Sequence, residues 1–219
     1  KQKQNDIYGI LMDVIYQHFN LFSVSLDHSE ELWTITRNMV RAVQRNWQRP
    51  DKGIWEIREN NKHFTFSKVL CWVAVDRAIK VAELLQQTDP VSEWIKLRDK
   101  IKNDIMKNAW SEAKQSFTQA YHYEDLDASV LLMETYGFLS GDDPKYKSTV
   151  LAIQKELEHK GLMYRYKNRD DFGLPSSAFT ICSFWLIKSL YIIGHKEEAI
   201  EKFDKLLSYS NHLGLFSED

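Results

Sequence analysis

The chain has 219 residues, with 29 Lys and Arg against 31 Asp and Glu, so its formal net charge is −2. Without a basic excess there is no electrostatic reason to expect nucleic acid or an anionic membrane surface as a partner, and a neutral ligand fits better. Aromatic residues make up 13% of the chain while only 8 glycines and 4 prolines are present, which favours a helical protein with a sizeable core.

Helices are predicted wherever apolar residues recur at spacings of three and four. Most of these segments have one polar face, but 67–85, 127–139 and 177–193 are apolar around most of their circumference, as expected of inner helices surrounded by protein. Inner and outer helices alternate, which predicts an all-α stack of antiparallel helix hairpins. No strand is predicted, and the alternating stretch "FTQAYHY" is interpreted as a loop. In chain order the predicted helices are 6–22, 30–47, 67–85, 92–110, 127–139, 146–159, 177–193 and 196–208.

The links from each outer helix to the next inner helix are long and rich in aromatic and acidic residues. Links of one kind fall at the same end of a stack of antiparallel hairpins, so we expect these loops to converge. Aromatic rings stack on sugar rings, and carboxylates and arginine bond sugar hydroxyls, so this composition is typical of a carbohydrate cleft. For any single loop carboxylate, a helix cap or a solvated surface charge is the commoner interpretation. The loops are 48–66, 111–126, 161–176 and 210–219, and their candidate residues are Trp55, Glu56, Phe64, Tyr121, Tyr123, Glu124, Asp125, Tyr164, Arg165, Tyr166, Asp170, Asp171 and Glu218.

Five ordered stretches carry a family resemblance. The longest are "DKGIWEIRENNKHFTFSKVLCWVAVDRA" at 51–78 and "GLMYRYKNRDDFGLPSSAFTICSFWLIKSLYIIG" at 161–194. "DIYGILMDVIY" precedes them, "AYHYEDLDASVLLM" lies between them and "NHLGLFSED" follows them. Together they resemble the inverting glycosidases of glycoside hydrolase family 15, the glucoamylase and trehalase-like family. The resemblance implies an (α/α) toroid of six helix hairpins over 1–219 as a single domain, with the active site at the end that carries the long loops.

The resemblance also implies an activity, which is the release of glucose from α-glucosides with inversion. By position, Glu56 matches the general acid and Glu218 the general base that activates water. Two such carboxyl groups are expected about 6.5–9.5 Å apart. The implied substrate is a disaccharide or oligosaccharide, and neither a cofactor nor a metal ion is implied.

Other residues are candidates for binding the sugar. Trp55 would pack beside Glu56 and keep its carboxyl group protonated by excluding water, although a plain core anchor is an equally good interpretation. Arg165 resembles the arginine that grips sugar hydroxyls in this family, and a salt bridge to Asp170 is the alternative. Tyr123, Tyr166 and Asp170 belong to the same binding set, whereas Trp185 lies in an inner helix and fits the core better.

Two features depart from the family pattern. Phe66 stands where trehalase-like members commonly have histidine, and Glu59 stands where they have glycine, so the substrate preference stays open. The chain is also expected to lack the first and last helices of the toroid, as a piece of an enzyme or a degenerate homologue would. An incomplete toroid would expose apolar edges and so favour self-association.

Other functional classes were weighed against this one. A non-catalytic helical-repeat scaffold or a degenerate sugar-binding fragment would share the stacked helix pairs. Another enzyme on the same toroid, such as an epimerase, would need paired histidines in its cavity. His63, His122 and His212 show no metal-ligand spacing, and Cys71 and Cys182 lie in apolar runs typical of buried free thiols. We expect no membrane segment and no signal peptide, and hence a cytoplasmic protein.

Overall fold

A computed structural model describes residues 2–22, 26–58, 60–171 and 173–219, and of residue 27 it describes the backbone alone. The chain divides into two compact units, Lys1–Asn108 and Ala109–Asp219. Within the described ranges, every helix is too short or too polar to cross a membrane. A single domain over the whole chain stays a prediction.

Unit 1 is built around one buried helix. Its elements are α1 (Ile7–Leu21), α2 (Leu26–Asn46), α3 (Thr65–Leu84) and α4 (Val91–Asn108). Of the 20 residues of α3, 17 are buried, because this helix packs against α1, α2 and α4. The prediction of an inner helix at 67–85 is therefore confirmed.

The packing of α1 on α3 depends on a glycine. A Cβ atom on Gly9 would lie 2.3 Å from the carbonyl oxygen of Leu70, so the two helices approach more closely than any larger residue allows. The same pair of helices is joined by charge, since Arg77 Nε of α3 lies 2.6 Å from Asp13 Oδ1 of α1. Within α3, Arg77 Nη1 also lies 2.7 Å from Asp76 Oδ2. The two contacts fix how α1 lies on α3.

Unit 2 combines three α-helices, a 3₁₀ helix and two very small hairpins. Tyr146 of α5 ties these elements together, because its buried hydroxyl donates to the carbonyl of Leu131 at 2.8 Å and contacts Ser189 Oγ at 3.0 Å. In chain order the elements are β1 (Trp110–Ser111), β2 (Ser116–Phe117), the 3₁₀ helix (Ala128–Met133), α5 (Pro144–Leu157), β3 (Glu158–His159), β4 (Leu162–Met163), α6 (Thr180–Ile192) and α7 (Lys196–Leu207).

Two predictions of secondary structure fail in unit 2. The segment 127–139 is not an inner α-helix, because only Ala128–Met133 is helical, and as a 3₁₀ helix. Gly137 follows with a left-handed φ of +74° in a turn. The expectation of no strand is also wrong, since β1 pairs with β2 and β3 with β4, both antiparallel. Each strand has two residues, too few to produce an alternating pattern.

Helix α6 is buried on one face only. Cys182, Leu186 and Leu190 are buried in unit 2, whereas Ile181 is 44% and Tyr191 50% exposed. The prediction that protein surrounds this helix is therefore wrong for the described structure. A mainly apolar groove of about 520 Å³ lies between α6 and α7, lined by Phe184, Ile187, Lys188, Tyr191, Ile192, Ala199, Ile200 and Phe203.

Candidate active site

The candidate general acid, Glu56, lies on a tight turn of unit 1. The turn is closed by the Glu56 N–H, which donates to the carbonyl of Gly53 at 3.3 Å. Its side chain is exposed and Trp55 beside it is half-buried. The expected shielding of this carboxyl group by Trp55 is thus not seen, because the turn faces solvent.

The backbone of this turn is constrained. Glu56 has φ +56°, a left-handed conformation that residues other than glycine, asparagine and aspartate rarely adopt. Gly53 has φ +67°, and a Cβ atom there would lie 2.9 Å from the ring of Phe64. The loop that contains the turn is closed by Asp51 and Lys62, whose backbones exchange hydrogen bonds of 2.9 and 3.1 Å. Such strain persists only where the surrounding structure enforces it.

The segment before α1 holds the turn from one side. The N–H of Lys52 donates to the carbonyl of Lys3 at 3.0 Å, and Gln4 Nε2 donates to the carbonyl of Gly53 at 3.2 Å. The N–H of Asn5 donates to Asp51 Oδ2 at 2.7 Å. The same Gly53 carbonyl therefore accepts from both Gln4 and Glu56, and residues 3–5 share in fixing the position of the acid.

Unit 1 also buries two carboxyl groups and an amine, those of Asp6, Asp51 and Lys68. Burial raises the pKa of Asp51 above its ordinary value and raises the pKa of Asp6 from 3.8 to about 6. Burial likewise lowers the pKa of Lys68, whose amine donates to the carbonyls of Trp47 and Arg49. None of these three titratable groups was predicted as a site residue from the sequence.

In unit 2, Arg165 lies between two aromatic rings. Its guanidinium carbon is 5.2 Å from the ring centre of Phe179 and 5.6 Å from that of Tyr166. Its backbone carbonyl accepts the N–H of Ala128 at 2.9 Å. Stacking on both rings restricts the rotamers of this half-buried arginine, and its role in binding sugar stays a prediction.

Tyr166 and Asp170 form one hydrogen-bonded pair. The hydroxyl of Tyr166 donates to Asp170 Oδ2 at 2.6 Å. Tyr166 is only 2% exposed, and this burial is the main cause that raises the pKa of its hydroxyl. Asp170 also exchanges backbone hydrogen bonds with Gly173. The ring of Tyr166 is therefore a buried platform under Arg165, and its hydroxyl is already bonded within the protein.

The candidate general base, Glu218, lies in the final segment of unit 2. Its side chain is exposed, but its backbone carbonyl accepts the N–H of Thr180, the first residue of α6, at 2.8 Å. Phe216 packs edge-on against Phe184 with ring centres 5.4 Å apart. These contacts hold the backbone around a carboxylate that stays open to solvent.

The remaining predicted residues are placed as follows. Tyr123 is 44% exposed, and its N–H donates to Ala120. Trp185 is half-buried in α6. Phe66 is 3% exposed in α3, which makes it a core residue, and Glu59 lies outside the described residues. Convergence of the four loops stays a prediction.

Sequence reasoning missed Phe179 beside Arg165 and the buried Asp127, which caps the 3₁₀ helix. Phe179 was not singled out, although its ring stacks on the guanidinium. Asp127 is 2% exposed and accepts hydrogen bonds from Ser129 N at 2.8 Å and from Gln119 Nε2 at 3.0 Å. The only sequence signal for Asp127 is an acidic residue just before an apolar run, which equally indicates a helix cap. Among the described residues, no cluster of three or more His, Cys, Asp and Glu is placed to hold a metal ion.

Comparison with known structures identifies the fold. A wild-type glycosidase superposes with a TM-score of 0.81 at 16% identity, covering 100% of this chain and 57% of that one. A bacterial glucoamylase complexed with acarbose superposes with a TM-score of 0.74 at 14% identity, covering 99% of this chain and 36% of that one. The fold class is the all-α, (α/α) toroid type of these glycosidases, and this chain supplies part of it.

Comparison of sequences gives the family. The trehalase of Mycobacterium tuberculosis is 40% identical over 222 residues, and that of Thermoplasma volcanium is 30% identical over 219. Each alignment covers 100% of this chain but only 32% and 35% of the relative, so the chain spans about a third of their length. The family described as "Glycosyl hydrolases family 15" matches residues 1–213, which include Glu56 but end before Glu218. The chain belongs to glycoside hydrolase family 15.

Proposed function

We propose that this chain is part of an inverting glycoside hydrolase that releases glucose from α-glucosides, with trehalose as its first candidate substrate. Family membership and the trehalase names of its relatives support this proposal. The observation that carries it is the pair Glu56 and Glu218. Each has an exposed side chain on a backbone held by a hydrogen bond, Glu56 by its N–H and Glu218 by its carbonyl.

The two carboxyl groups would divide the chemistry. Glu56 donates its proton to the glycosidic oxygen as the bond from that oxygen to the anomeric carbon breaks. Glu218 takes a proton from a water molecule, whose oxygen bonds to the anomeric carbon on the opposite face. Inverting glycosidases hold two such carboxyl groups about 6.5–9.5 Å apart, which leaves room for this water. The glucose that the water attacks is released as β-glucose, whereas the leaving glucose of trehalose keeps its α configuration.

The other candidates would bind the sugar. Arg165, held between Phe179 and Tyr166, offers N–H donors to the hydroxyl groups of glucose. The exposed ring of Tyr123 and the half-buried ring of Trp55 offer stacking surfaces. Asp170 acts by fixing Tyr166 through the 2.6 Å hydrogen bond and accepts sugar hydroxyls with any remaining lone pairs.

The experiment is an assay of the intact gene product on trehalose, maltose and isomaltose. Proton NMR of the first turnovers distinguishes β-glucose from α-glucose before the anomers equilibrate. From trehalose we expect equal amounts of β-glucose and α-glucose, and a loss of about 10²-fold or more in kcat for Glu56→Gln and for Glu218→Gln. Glu93→Gln and Asp219→Asn are the matched controls, because both carboxylates are exposed and neither has a proposed role.

The alternative is a non-catalytic helical-repeat protein or a degenerate sugar-binding fragment. Binding of trehalose measured by calorimetry, without hydrolysis in the intact gene product, would favour that alternative. Hydrolysis that both Gln variants retain would contradict the assignment of the two carboxyl groups. Release of α-glucose from trehalose without β-glucose would contradict inversion.

Self-association is a further part of the proposal. In the described structure α1 exposes Ile7, Leu11 and Val14 at helical spacing, and α6 and α7 expose the apolar groove. Exposed apolar surface of this kind favours association between copies. A cytoplasmic location stays a prediction.

A further inference from the structure

Asp127 is a buried carboxyl group of unit 2 that the proposed mechanism does not use. It is 2% exposed and stands directly before the 3₁₀ helix Ala128–Met133. Its Oδ1 atom accepts the N–H of Ser129 at 2.8 Å and the hydroxyl of Ser129 at 2.6 Å. Asparagine and serine cap a helix as well as aspartate does, and burying an acidic group costs more free energy than burying an amide or a hydroxyl. Capping alone therefore does not explain an aspartate at this position.

The second oxygen of Asp127 is bonded to the preceding loop. Gln119 lies in the loop 111–126 and is also 2% exposed, and its Nε2 donates to Asp127 Oδ2 at 3.0 Å. The N–H of Gln119 in turn donates to the carbonyl of Asp125 at 2.7 Å, so the backbone of this loop fixes the amide that holds the carboxyl group. Asp127 is thus bonded through both oxygens, to the 3₁₀ helix on one side and to the loop on the other.

The helix start that Asp127 fixes directs the N–H of Ala128 at Arg165. The first N–H groups of a helix have no acceptor within that helix. Asp127 accepts the N–H of Ser129, whereas the N–H of Ala128 donates to the carbonyl of Arg165 at 2.9 Å. This contact joins the loop 161–176 to the segment that follows the loop 111–126. The backbone of Arg165 therefore takes its position from the peptide between Asp127 and Ala128.

The side chain of Arg165 depends on that backbone position. Its guanidinium carbon lies 5.2 Å from the ring centre of Phe179 and 5.6 Å from that of Tyr166. Phe179 is held separately, since its N–H donates to the carbonyl of Met163 at 2.7 Å. A shift of the Arg165 backbone would therefore move the guanidinium group relative to the Phe179 ring, and a misplacement of about 1 Å in a binding group is enough to impair an active site.

We propose that Asp127 is a positioning residue for Arg165: it fixes the Arg165 backbone through the N–H of Ala128 and so sets where the guanidinium group meets the sugar. The inference rests on the proposed function, in which Arg165 binds the hydroxyl groups of glucose. Asp127 is assigned no contact with the sugar. The chain of contacts begins at Gln119, passes through Asp127 and ends at Arg165, all within unit 2.

The test is trehalose hydrolysis by the intact gene product, with kcat and KM measured separately. Arg165→Ala removes charged donors and should raise KM about tenfold or more. We expect Asp127→Ala to raise KM about threefold or more, with kcat within about twofold of the parent. KM is the informative constant, because unfolding of part of a sample lowers the apparent kcat but leaves KM unchanged.

A double substitution separates positioning from general damage. In the Arg165→Ala background, Asp127→Ala should change KM by less than about twofold, because the group that Asp127 positions is gone. The same rise in both backgrounds, or an unchanged KM in Asp127→Ala alone, would overturn the inference. Asp127→Asn keeps the size of the side chain and an oxygen for Ser129. It repeats the comparison, with a smaller expected rise in KM, if the alanine variant does not fold.

Asp143→Ala is the matched control. Asp143 caps α5 in the same unit by accepting the N–H groups of Lys145 and Tyr146 at 2.8 and 3.2 Å. Loss of this cap should lower the melting temperature while KM stays within about twofold of the parent. A rise in KM as large as that of Asp127→Ala would show that loss of any cap in unit 2 impairs binding, and it would overturn the inference.

Failure of the proposed function can be told apart from failure of this inference. Calorimetry in the Glu56→Gln background gives the Kd of trehalose for the same variants without depending on turnover. If the intact protein binds trehalose but does not hydrolyse it, the proposed function fails and the Kd values still decide the role of Asp127. If Arg165→Ala leaves both KM and Kd unchanged, the sugar-binding role of Arg165 fails and this inference fails with it.

Discussion

The backbone carbonyl of Glu218 accepts a hydrogen bond of 2.8 Å from the N–H of Thr180. Thr180 is the first residue of α6, so the N-terminus of that helix fixes the final segment of the chain in unit 2. Phe216 adds an edge-on contact with Phe184 two residues before Glu218. The position of the proposed base therefore depends on packing at α6 as well as on its own loop.

We expect Phe216→Ala to lower the activity more than the stability. The edge-on contact with Phe184 contributes about 1 kcal/mol, and its loss frees the segment that carries Glu218. Hydrolysis rates should fall several-fold, while thermal melting shifts by only a few degrees. Leu215→Ala is the control, because Leu215 is 61% exposed. Equal effects of the two substitutions would argue against a role for Phe216 in placing Glu218.

Gly53→Ala should disrupt the turn 53–56, which carries Glu56. The new Cβ would meet the ring of Phe64 at 2.9 Å, and φ is +67°. We expect a loss of more than about 2 kcal/mol of unfolding free energy, since strain and overlap add. Gly137→Ala is the control for backbone strain alone, because the φ of Gly137 is +74° and no atom lies within 4 Å of the new Cβ. We expect this substitution to cost about 1 kcal/mol of unfolding free energy. Urea unfolding measures both variants, and equal losses would contradict the predicted clash.

Asp6 should make the protein less stable as the pH rises. Its pKa is raised on folding from 3.8 to about 6, so between these values the folded state holds more protons than the unfolded state. Stability therefore falls across this window, and about 3 kcal/mol is lost once the pH exceeds the folded pKa. Asp6→Asn should remove this dependence and be more stable than the parent at pH 8. Denaturant unfolding of both proteins between pH 4 and pH 8 measures how stability changes with pH. The prediction is contradicted if stability rises with pH over this window in the parent but not in Asp6→Asn.

Tyr166→Phe should affect sugar binding more than turnover. The substitution removes the donor that lies 2.6 Å from Asp170 Oδ2 but keeps the ring under Arg165. We expect a loss of about 1–2 kcal/mol in stability and a rise in KM for trehalose with kcat nearly unchanged. Tyr166→Ala also removes the platform, so it should raise KM further. If both variants give the same KM, the stacking of Arg165 on this ring does not contribute to binding.

The sequence predicted the fold well where a helix is long and well covered. The apolar run at 67–85 became α3, which unit 1 surrounds. The run at 127–139 was misassigned, because a short apolar stretch does not show whether it continues as an α-helix, and this one ends as a 3₁₀ helix at Met133. Helix α2 begins at Leu26, four residues before the predicted start. Helix ends are set by local caps and contacts that periodicity does not record.

The candidate site was predictable only in part. Glu56 and Glu218 came from family motifs, because isolated loop carboxylates look like surface charges. Phe179 could not be predicted as a partner of Arg165, because their 5.2 Å contact depends on tertiary packing across a loop. Asp6 was missed for a different reason: an aspartate before a helix reads as a cap, and only the structure shows that its side chain is buried without capping α1.

The left-handed backbone of Glu56 has a consequence for laboratory evolution. Glycine or asparagine adopts this conformation more readily, and replacing glutamate by glycine would relieve about 1 kcal/mol of strain. A library screened for heat tolerance alone would accordingly enrich glycine or asparagine at position 56 and discard the proposed proton donor. Thermostable variants of this protein should therefore be selected on substrate turnover at every round.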